Sequence, residues 1–211
     1  MSMDMENMSP RHKLNQEWVW WFDCQDKKYT NNDNWSDCLQ KLGTVSDIEV
    51  FWSTLKEIGD LCVLPTSSNL HFFRTGIEPM WEDPRNASGG KWVLELSFGT
   101  NPNQIWANTL LFCLSESVMV RSADGVLKDS MVSEAAIDKS YSNAICGAVF
   151  SPRKNYVRIS IWTSIKDKKV MRIGELWRAF AEIPESSKLI FKAHENALKG
   201  SRDSSTDVFS L

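Results

Sequence analysis

Trp35 and Trp81 stand in polar surroundings. Trp35 closes a stretch of Gln, Asp, Lys, Asn and Ser over residues 24–36, and Trp81 lies mid-way along residues 77–90, which hold two Pro and two adjacent Gly. A Trp outside any apolar periodic segment either folds back to cap the core or offers its face to a flat ligand such as a base or a sugar. Two such rings in one chain favour a stacking site. Glu82 follows Trp81 directly. A carboxylate beside a stacking ring can accept two hydrogens from a purine edge with adjacent N–H donors, a pattern that guanine carries and adenine lacks. Taken alone, an exposed Glu is most often merely solvated.

Cations cluster elsewhere in the chain. Residues 153–172 hold seven Lys or Arg and one acid, Asp167, a net charge of +6 within a chain whose total is −3. In residues 156–163, Val157, Ile159 and Ile161 alternate with Arg158, Ser160 and Trp162, so a strand here puts the second set on one face. Arg158 and Trp162 would then lie ~13 Å apart. That span places a ring near a base and a cation near its phosphates, with Arg153 and Lys154 adding charge at the same end. A solvated charged face is the alternative.

Catalytic chemistry finds little support. His12, His71 and His194 are scattered without metal-ligand spacing, and structural or solvated roles are expected for them. Gly89-Gly90-Lys91 is followed by Trp92, not by the Ser or Thr that a phosphate-binding loop requires. No G-x-S-x-G occurs. The expectation is a binding protein, not an enzyme, with no metal and no cofactor.

These groups need a scaffold. Strands are predicted over 18–22, 69–74, 91–98, 144–150, 156–163 and 189–191. Residues 47–58 read as a helix, with Ile48, Phe51, Trp52, Leu55 and Ile58 on one stripe and Ser46 or Asp47 as its cap. Further helices are predicted over 102–115 and 172–183, and weak periodicity leaves a short helix at 129–139 as an option. Strands outnumber helices without strict alternation, which fits an α+β fold: one largely antiparallel sheet with helices packed on one face.

Composition bounds the rest. The 211 residues are 42% hydrophobic and 24% charged, ordinary for one folded domain. Apolar runs such as 144–150 are too short to span a bilayer. Residues 1–11 are polar, without a signal-peptide core. Five Cys (24, 38, 62, 113, 146), an odd number with no C-x-x-C, read as reduced thiols, so a cytoplasmic and also nuclear setting is expected. The N-x-S sequons at Asn7, Asn34 and Asn86 are then chance occurrences. Ten Trp against three Tyr is the one strong deviation.

Longer motifs carry a resemblance. Residues 76–83 (Gly-Ile-Glu-Pro-Met-Trp-Glu-Asp), Gly89-Gly90-Lys91-Trp92, Phe51-Trp52, Cys146-Gly147-Ala148-Val149 and Ile159-Ser160-Ile161-Trp162-Thr163 resemble the eukaryotic translation initiation factor 4E family. His12-Lys13-Leu14 with Trp18 and Trp21, and Ile173-Gly174, agree, so the resemblance runs through residues 12–195. It implies a curved antiparallel sheet with three long helices on the convex back and a 7-methylguanosine mRNA cap in the concave face. By the same resemblance Trp35 and Trp81 sandwich the base. Glu82 accepts from N1–H and N2–H, the Trp81 backbone N–H reaches O6, Trp162 lies beside the methyl, and Arg153 and Arg158 hold the triphosphate. Asn155 stands where the family often has Lys, and Trp rather than Tyr at 35 resembles initiation-type members.

The resemblance also implies a partner site on the back, for a Tyr-x-x-x-x-Leu-apolar helix of a 4G-type scaffold or a 4E-binding protein. His12, Ile48, Trp52 and Leu111 match it, with core packing as the alternative for Trp52. Lys13 replaces a common Pro, and Ala107 and Asn108 replace a usual Leu and Glu, which suggests a divergent partner. The loop before Trp35 looks longer than usual, and 118–139 looks like an insertion, as in a divergent paralogue. Residues 12–199 form the expected domain, between a disordered tail (1–11) and a mobile one (200–211). Recruitment of mRNA to initiation is the expected role. A cap-binding repressor, and a binder of sugars or unmethylated nucleotides, are the rivals.

Overall fold

Alternation along residues 91–97 puts Trp92, Leu94 and Leu96 on one face that must be buried, and the sheet supplies that core. In the computed structural model, which describes residues 11–25, 38–97, 101–115, 139–195 and 207–211, eight strands form one sheet. They are β1 (Lys13–Cys24), β2 (Gln40–Asp47), β3 (Ser68–Arg74), β4 (Gly90–Ser97), β5 (Ile145–Pro152), β6 (Tyr156–Thr163), β7 (Leu189–Ala193) and β8 (Asp207–Ser210). The order is β2-β1-β3-β5-β6-β4-β7-β8, and all neighbours are antiparallel. Three long helices, α1 (Ile48–Ile58), α2 (Pro102–Leu114) and α3 (Lys169–Phe180), cover one face.

The helix-covered face is the main core. Trp18 and Trp20 of β1, Phe72 of β3, Phe150 of β5, Ile159 and Ile161 of β6, and Trp92 and Leu94 of β4 meet Phe51 of α1, Trp106 and Leu110 of α2, and Ile173 and Trp177 of α3. Polar atoms inside this layer fix the helices in place. The Trp92 indole donates to the Val170 carbonyl (2.8 Å), and the Trp177 indole donates to Thr109 Oγ1 (2.9 Å). Arg74 is buried as well. It donates to the carbonyls of Ile145 (2.8 Å) and Ser142 (2.7 Å), tying β3 to the entry of β5.

Caps explain some of the helix boundaries. Asp47 Oδ1 accepts from Val50 N–H at 2.8 Å and starts α1, so Asp47 and not Ser46 is the cap. α3 starts three residues before the predicted boundary without a side-chain cap, although Asp167 Oδ1, just ahead of it, accepts from Lys169 N–H (2.8 Å). Ile183 lies beyond its end and is still buried.

Two strands depart from the sequence reading. β2 was not expected, because as an edge strand it buries only Val45 and Asp47 and carries no clean alternation. The expected mobile tail is corrected at its far end. Asp207–Ser210 pairs with β7, and the backbones of Leu211 and Leu189 exchange two hydrogen bonds of 3.0 Å. The short helix expected at 129–139 and the insertion at 118–139 fall on residues outside those described, apart from Lys139, which opens the helical turn Lys139–Ala144.

Candidate functional site

The other face of the sheet carries no long helix among the described residues and holds a second, smaller apolar cluster: Phe73, Ile77, Cys146, Val149 and Trp162, with Trp21 against it. Its construction turns on Gly147, which stands between Phe73 and Trp162 in the cross-strand register. A Cβ there would lie 2.4 Å from the Phe73 ring, so only Gly lets Phe73 meet Trp162 edge-on, centroids 5.5 Å apart. On its far side Trp162 packs on His194, centroids 4.2 Å apart.

This floor underlies a cavity of about 740 Å³, within the usual range for a nucleotide-sized ligand. Trp81, Glu82, Arg153, Arg158 and Trp162 all line it. The structure thus brings together five of the six residues expected to hold one ligand. Trp35, the sixth, lies outside the described residues.

The loop with Trp81 and Glu82 is held by Asn86, a residue that sequence reasoning treated only as a sequon. Its wholly buried amide donates to the carbonyls of Glu78 (2.8 Å) and Met80 (2.9 Å). Asp83 accepts from Glu78 N–H (2.9 Å) and Arg85 N–H (2.8 Å), while Gly76, at φ 85°, makes the turn out of β3. Ile77 anchors the loop in the small cluster. Trp81 stays 37% exposed, and Glu82 makes no hydrogen bond or ion pair among the described residues. A stacking face and a carboxylate with vacant acceptors therefore sit side by side on a fixed loop.

The two arginines are held differently. Arg153 follows β5 and donates to neutral acceptors: the carbonyls of Ser68 (3.1 Å) and Pro152 (2.7 Å), and Asn69 Oδ1 (2.7 Å). Asn69 also accepts from Ser151 Oγ (2.7 Å) and donates to Asp23, and His71 Nε2 meets Asp23 at 2.6 Å. Asp23 and His71 are both buried. Arg158 on β6 faces Glu95 on β4, Nη2 to Oε1 2.6 Å and Nε to Oε1 3.1 Å, and also donates to the Tyr156 hydroxyl (3.0 Å). Asn155 and Lys154 are exposed in the turn between these arginines.

Lys91 is a third cation in the cavity; the sequence offered it as part of a family motif and as a failed phosphate loop, and gave it no role at the site. It is the cross-strand partner of Trp162, and its Nζ lies 5.2 Å from the Trp162 ring centre and 5.9 Å from that of Trp81. Burial, then the charges of Arg158, Lys192 and Arg153, lower its pKa to about 8. Alternation along β4 would have placed Lys91, Val93 and Glu95 on the open face. His194 is driven lower still, to about 3, first by burial and then by Lys91.

The expected partner residues lie on the helix-covered side. Trp52 on α1 is 48% exposed and rests edge-on against Phe51, centroids 5.1 Å apart. The His12 carbonyl accepts from Ile48 N–H (2.9 Å), and its ring pairs with Glu49 (2.6 Å) at the start of α1. Ile48 and Leu111 are half-buried. Asn108 Oδ1 accepts from Gln104 (2.9 Å) one turn earlier on α2. Among the described residues no group of three or more His, Cys, Asp or Glu could hold a metal ion.

An open antiparallel sheet, backed by helices and bearing an aromatic, cation-rich cleft on its other face, defines a binding protein for a flat anionic ligand. The chain belongs to the eukaryotic initiation factor 4E family, whose model matches residues 13–208. It is 31% identical over 188 residues to the isoform 4E initiation factor of Nicotiana tabacum, covering 88% of this chain and 82% of that one. It is 29% identical over 196 residues to initiation factor 4E of Saccharomyces cerevisiae, covering 92% and 82%. Among solved structures, C. elegans eIF4E-3 in complex with the 4E-binding protein Mextli and a cap analog superposes with a TM-score of 0.75 at 26% identity, covering 96% of this chain and all of that one. Ascaris suum eIF4E-3 with the m2,2,7G cap gives 0.76 at 25% identity, covering 96% and 99%.

Proposed function

We propose that this chain binds the 7-methylguanosine cap of mRNA in the open-face cleft and, without catalysis, recruits that mRNA to translation initiation through a partner on its helical face. One observation carries the reading: Trp81, Glu82, Trp162, Arg153 and Arg158 converge on a single cavity. Family membership and the named ligands of the nematode relatives support it.

Methylation at N7 makes the purine cationic. Stacking on Trp81, with Trp35 as the proposed second ring, then gains a cation–π contribution of about 0.5–2 kcal/mol per ring. The same charge acidifies N1–H and strengthens its bond to the vacant Glu82 carboxylate. Trp162 would flank the methyl group. Arg153 and Arg158 would hold the phosphates, and a sugar ligand would leave this cationic end without a counter-charge. His12, Ile48, Trp52 and Leu111 would form the partner surface. We place this activity in the cytoplasm and the nucleus, the compartments of reduced thiols and capped mRNA.

Quenching of the intrinsic Trp fluorescence tests the reading. 7-Methyl-GTP should bind at least tenfold more tightly than GTP. Equal affinities would overturn it.

A further inference from the structure

Each guanidinium of the clamp has five N–H donors, and the two are spent on opposite kinds of acceptor. Arg153 gives three hydrogens to uncharged oxygens of Ser68, Pro152 and Asn69, which fixes its place and leaves its charge intact. Arg158 gives Nε–H and one Nη2–H to a single oxygen of Glu95 and the second Nη2–H to Tyr156. Its whole Nε/Nη2 edge, the edge that grips phosphate in a forked pair, is taken by a carboxylate and a hydroxyl.

We infer that Glu95 is an internal competitor for the ligand's phosphates: it occupies the phosphate-gripping edge of Arg158 in the free protein and must be displaced before Arg158 can clamp. This rests on the cap-binding reading. Glu95 and Arg158 are direct cross-strand partners, so the pair is built into the β4–β6 register. Both side chains reach solvent, 51% exposed for Glu95 and 33% for Arg158, so an incoming phosphate can reach the pair and the carboxylate can swing away without breaking the sheet. Glu95 thereby sets how much the phosphate end adds to affinity. Arg153 is the standing cation, and Arg158 is recruited by the ligand.

The test is Glu95→Gln in the full chain. Gln keeps a neutral acceptor for Arg158 and removes only the competing charge. Titrations use 7-methyl-GTP, phosphate-free 7-methylguanosine and inorganic tripolyphosphate. The variant should bind 7-methyl-GTP and tripolyphosphate about two- to five-fold more tightly, the range of one exposed ion pair, and 7-methylguanosine unchanged. Its 7-methyl-GTP affinity should also fall more steeply with salt. Unchanged or weaker binding of both phosphate ligands would overturn the proposal and make Glu95 a residue that merely positions Arg158. Failure of the unsubstituted chain to bind 7-methylguanosine or 7-methyl-GTP would instead overturn the cap reading, and the tripolyphosphate comparison would still decide the role of Glu95.

Discussion

Lys91 and Trp162 face each other across β4 and β6, and the Lys91 ammonium sits 5.2 Å from the Trp162 ring centre. A cation thus already lies beside the rings proposed to receive a cationic base. Its pKa near 8 arises from burial and from Arg158, Lys192 and Arg153. The cationic base adds one positive charge beside Lys91, but the triphosphate brings more negative charge than that and would offset those same positive neighbours, so the pKa of Lys91 should rise on binding and binding should take up a proton. Affinity for 7-methyl-GTP is therefore greatest below pH 8 and declines as pH rises through 8. The base loses its own N1 proton in alkali in any variant. Lys91→Arg, which stays charged, isolates the lysine: its affinity should fall less than that of the unsubstituted chain between pH 7 and 9, measured by fluorescence titration. Parallel pH profiles would exclude Lys91 from the linkage.

Glu82 is exposed and makes no bond among the described residues, so its removal should cost binding and not folding. Two charge-assisted hydrogen bonds to the base are worth about 3 kcal/mol together, or roughly a hundredfold in affinity. Glu82→Ala should elute from 7-methyl-GTP resin where the unsubstituted chain is retained, with an unchanged circular dichroism spectrum. Normal retention would move base recognition elsewhere.

Trp52 leaves nearly half its surface in solvent although Phe51 beneath it is fully buried. A side chain this exposed contributes little to the core, and a partly exposed Trp is a frequent binding anchor. Trp52→Ala should weaken capture of a Tyr-x-x-x-x-Leu-apolar peptide by at least about 2 kcal/mol. Cap affinity should be unchanged and Tm should move by only a few degrees. Retained peptide binding would place the partner site on another surface.

Sequence patterns carried the parts of the fold whose periodicity is local. The alternation in β6 put Arg158, Ser160 and Trp162 on one face, and the structure has all three lining the cavity. The stripe in α1 marked a helix, but it put Phe51 and Trp52 together where one points in and the other out. What stayed illegible is non-local. β2 is a polar edge strand, and Asp207–Ser210 becomes a strand only because β7 offers an edge. Glu95 meets Arg158, and Asp23 meets Asn69 and His71, across 46–63 residues of chain. Composition does not specify such pairings; strand register does.

Asn69 joins Arg153 to the buried Asp23, so it should act on both affinity and stability. Among the described residues Asn69→Ala removes the only side-chain acceptor of Arg153 and one of the two side chains that meet the Asp23 carboxylate. Leaving a buried carboxylate short of a partner costs about 1–3 kcal/mol. Urea unfolding should shift by that amount. 7-Methyl-GTP affinity should fall several-fold, with 7-methylguanosine affinity nearly constant. Equal losses for both ligands would mean that Asn69 acts on the whole cleft and not on Arg153.

His194 makes stability acid-sensitive. Its ring is buried against Trp162 and near Lys91, and its pKa is about 3 against an ordinary 6.5. The unfolded chain therefore takes up a proton near pH 6.5 that the native chain refuses until about pH 3. Stability from this group is complete above the unfolded value and drains away as pH falls from 6.5 toward 3. At pH 5 the loss should reach about 2 kcal/mol, from ~1.4 kcal/mol per unit below the unfolded pKa. Carboxylates also protonate toward this range, so the total pH slope alone is not diagnostic. His194→Phe keeps a ring on Trp162 and cannot titrate. The difference in urea-unfolding free energy between pH 7 and pH 5 should be about 2 kcal/mol smaller in that variant than in the unsubstituted chain. Equal differences would show that His194 is protonated in the native state, and the ring could then not be held neutral by its contact with Trp162 and the charge of Lys91.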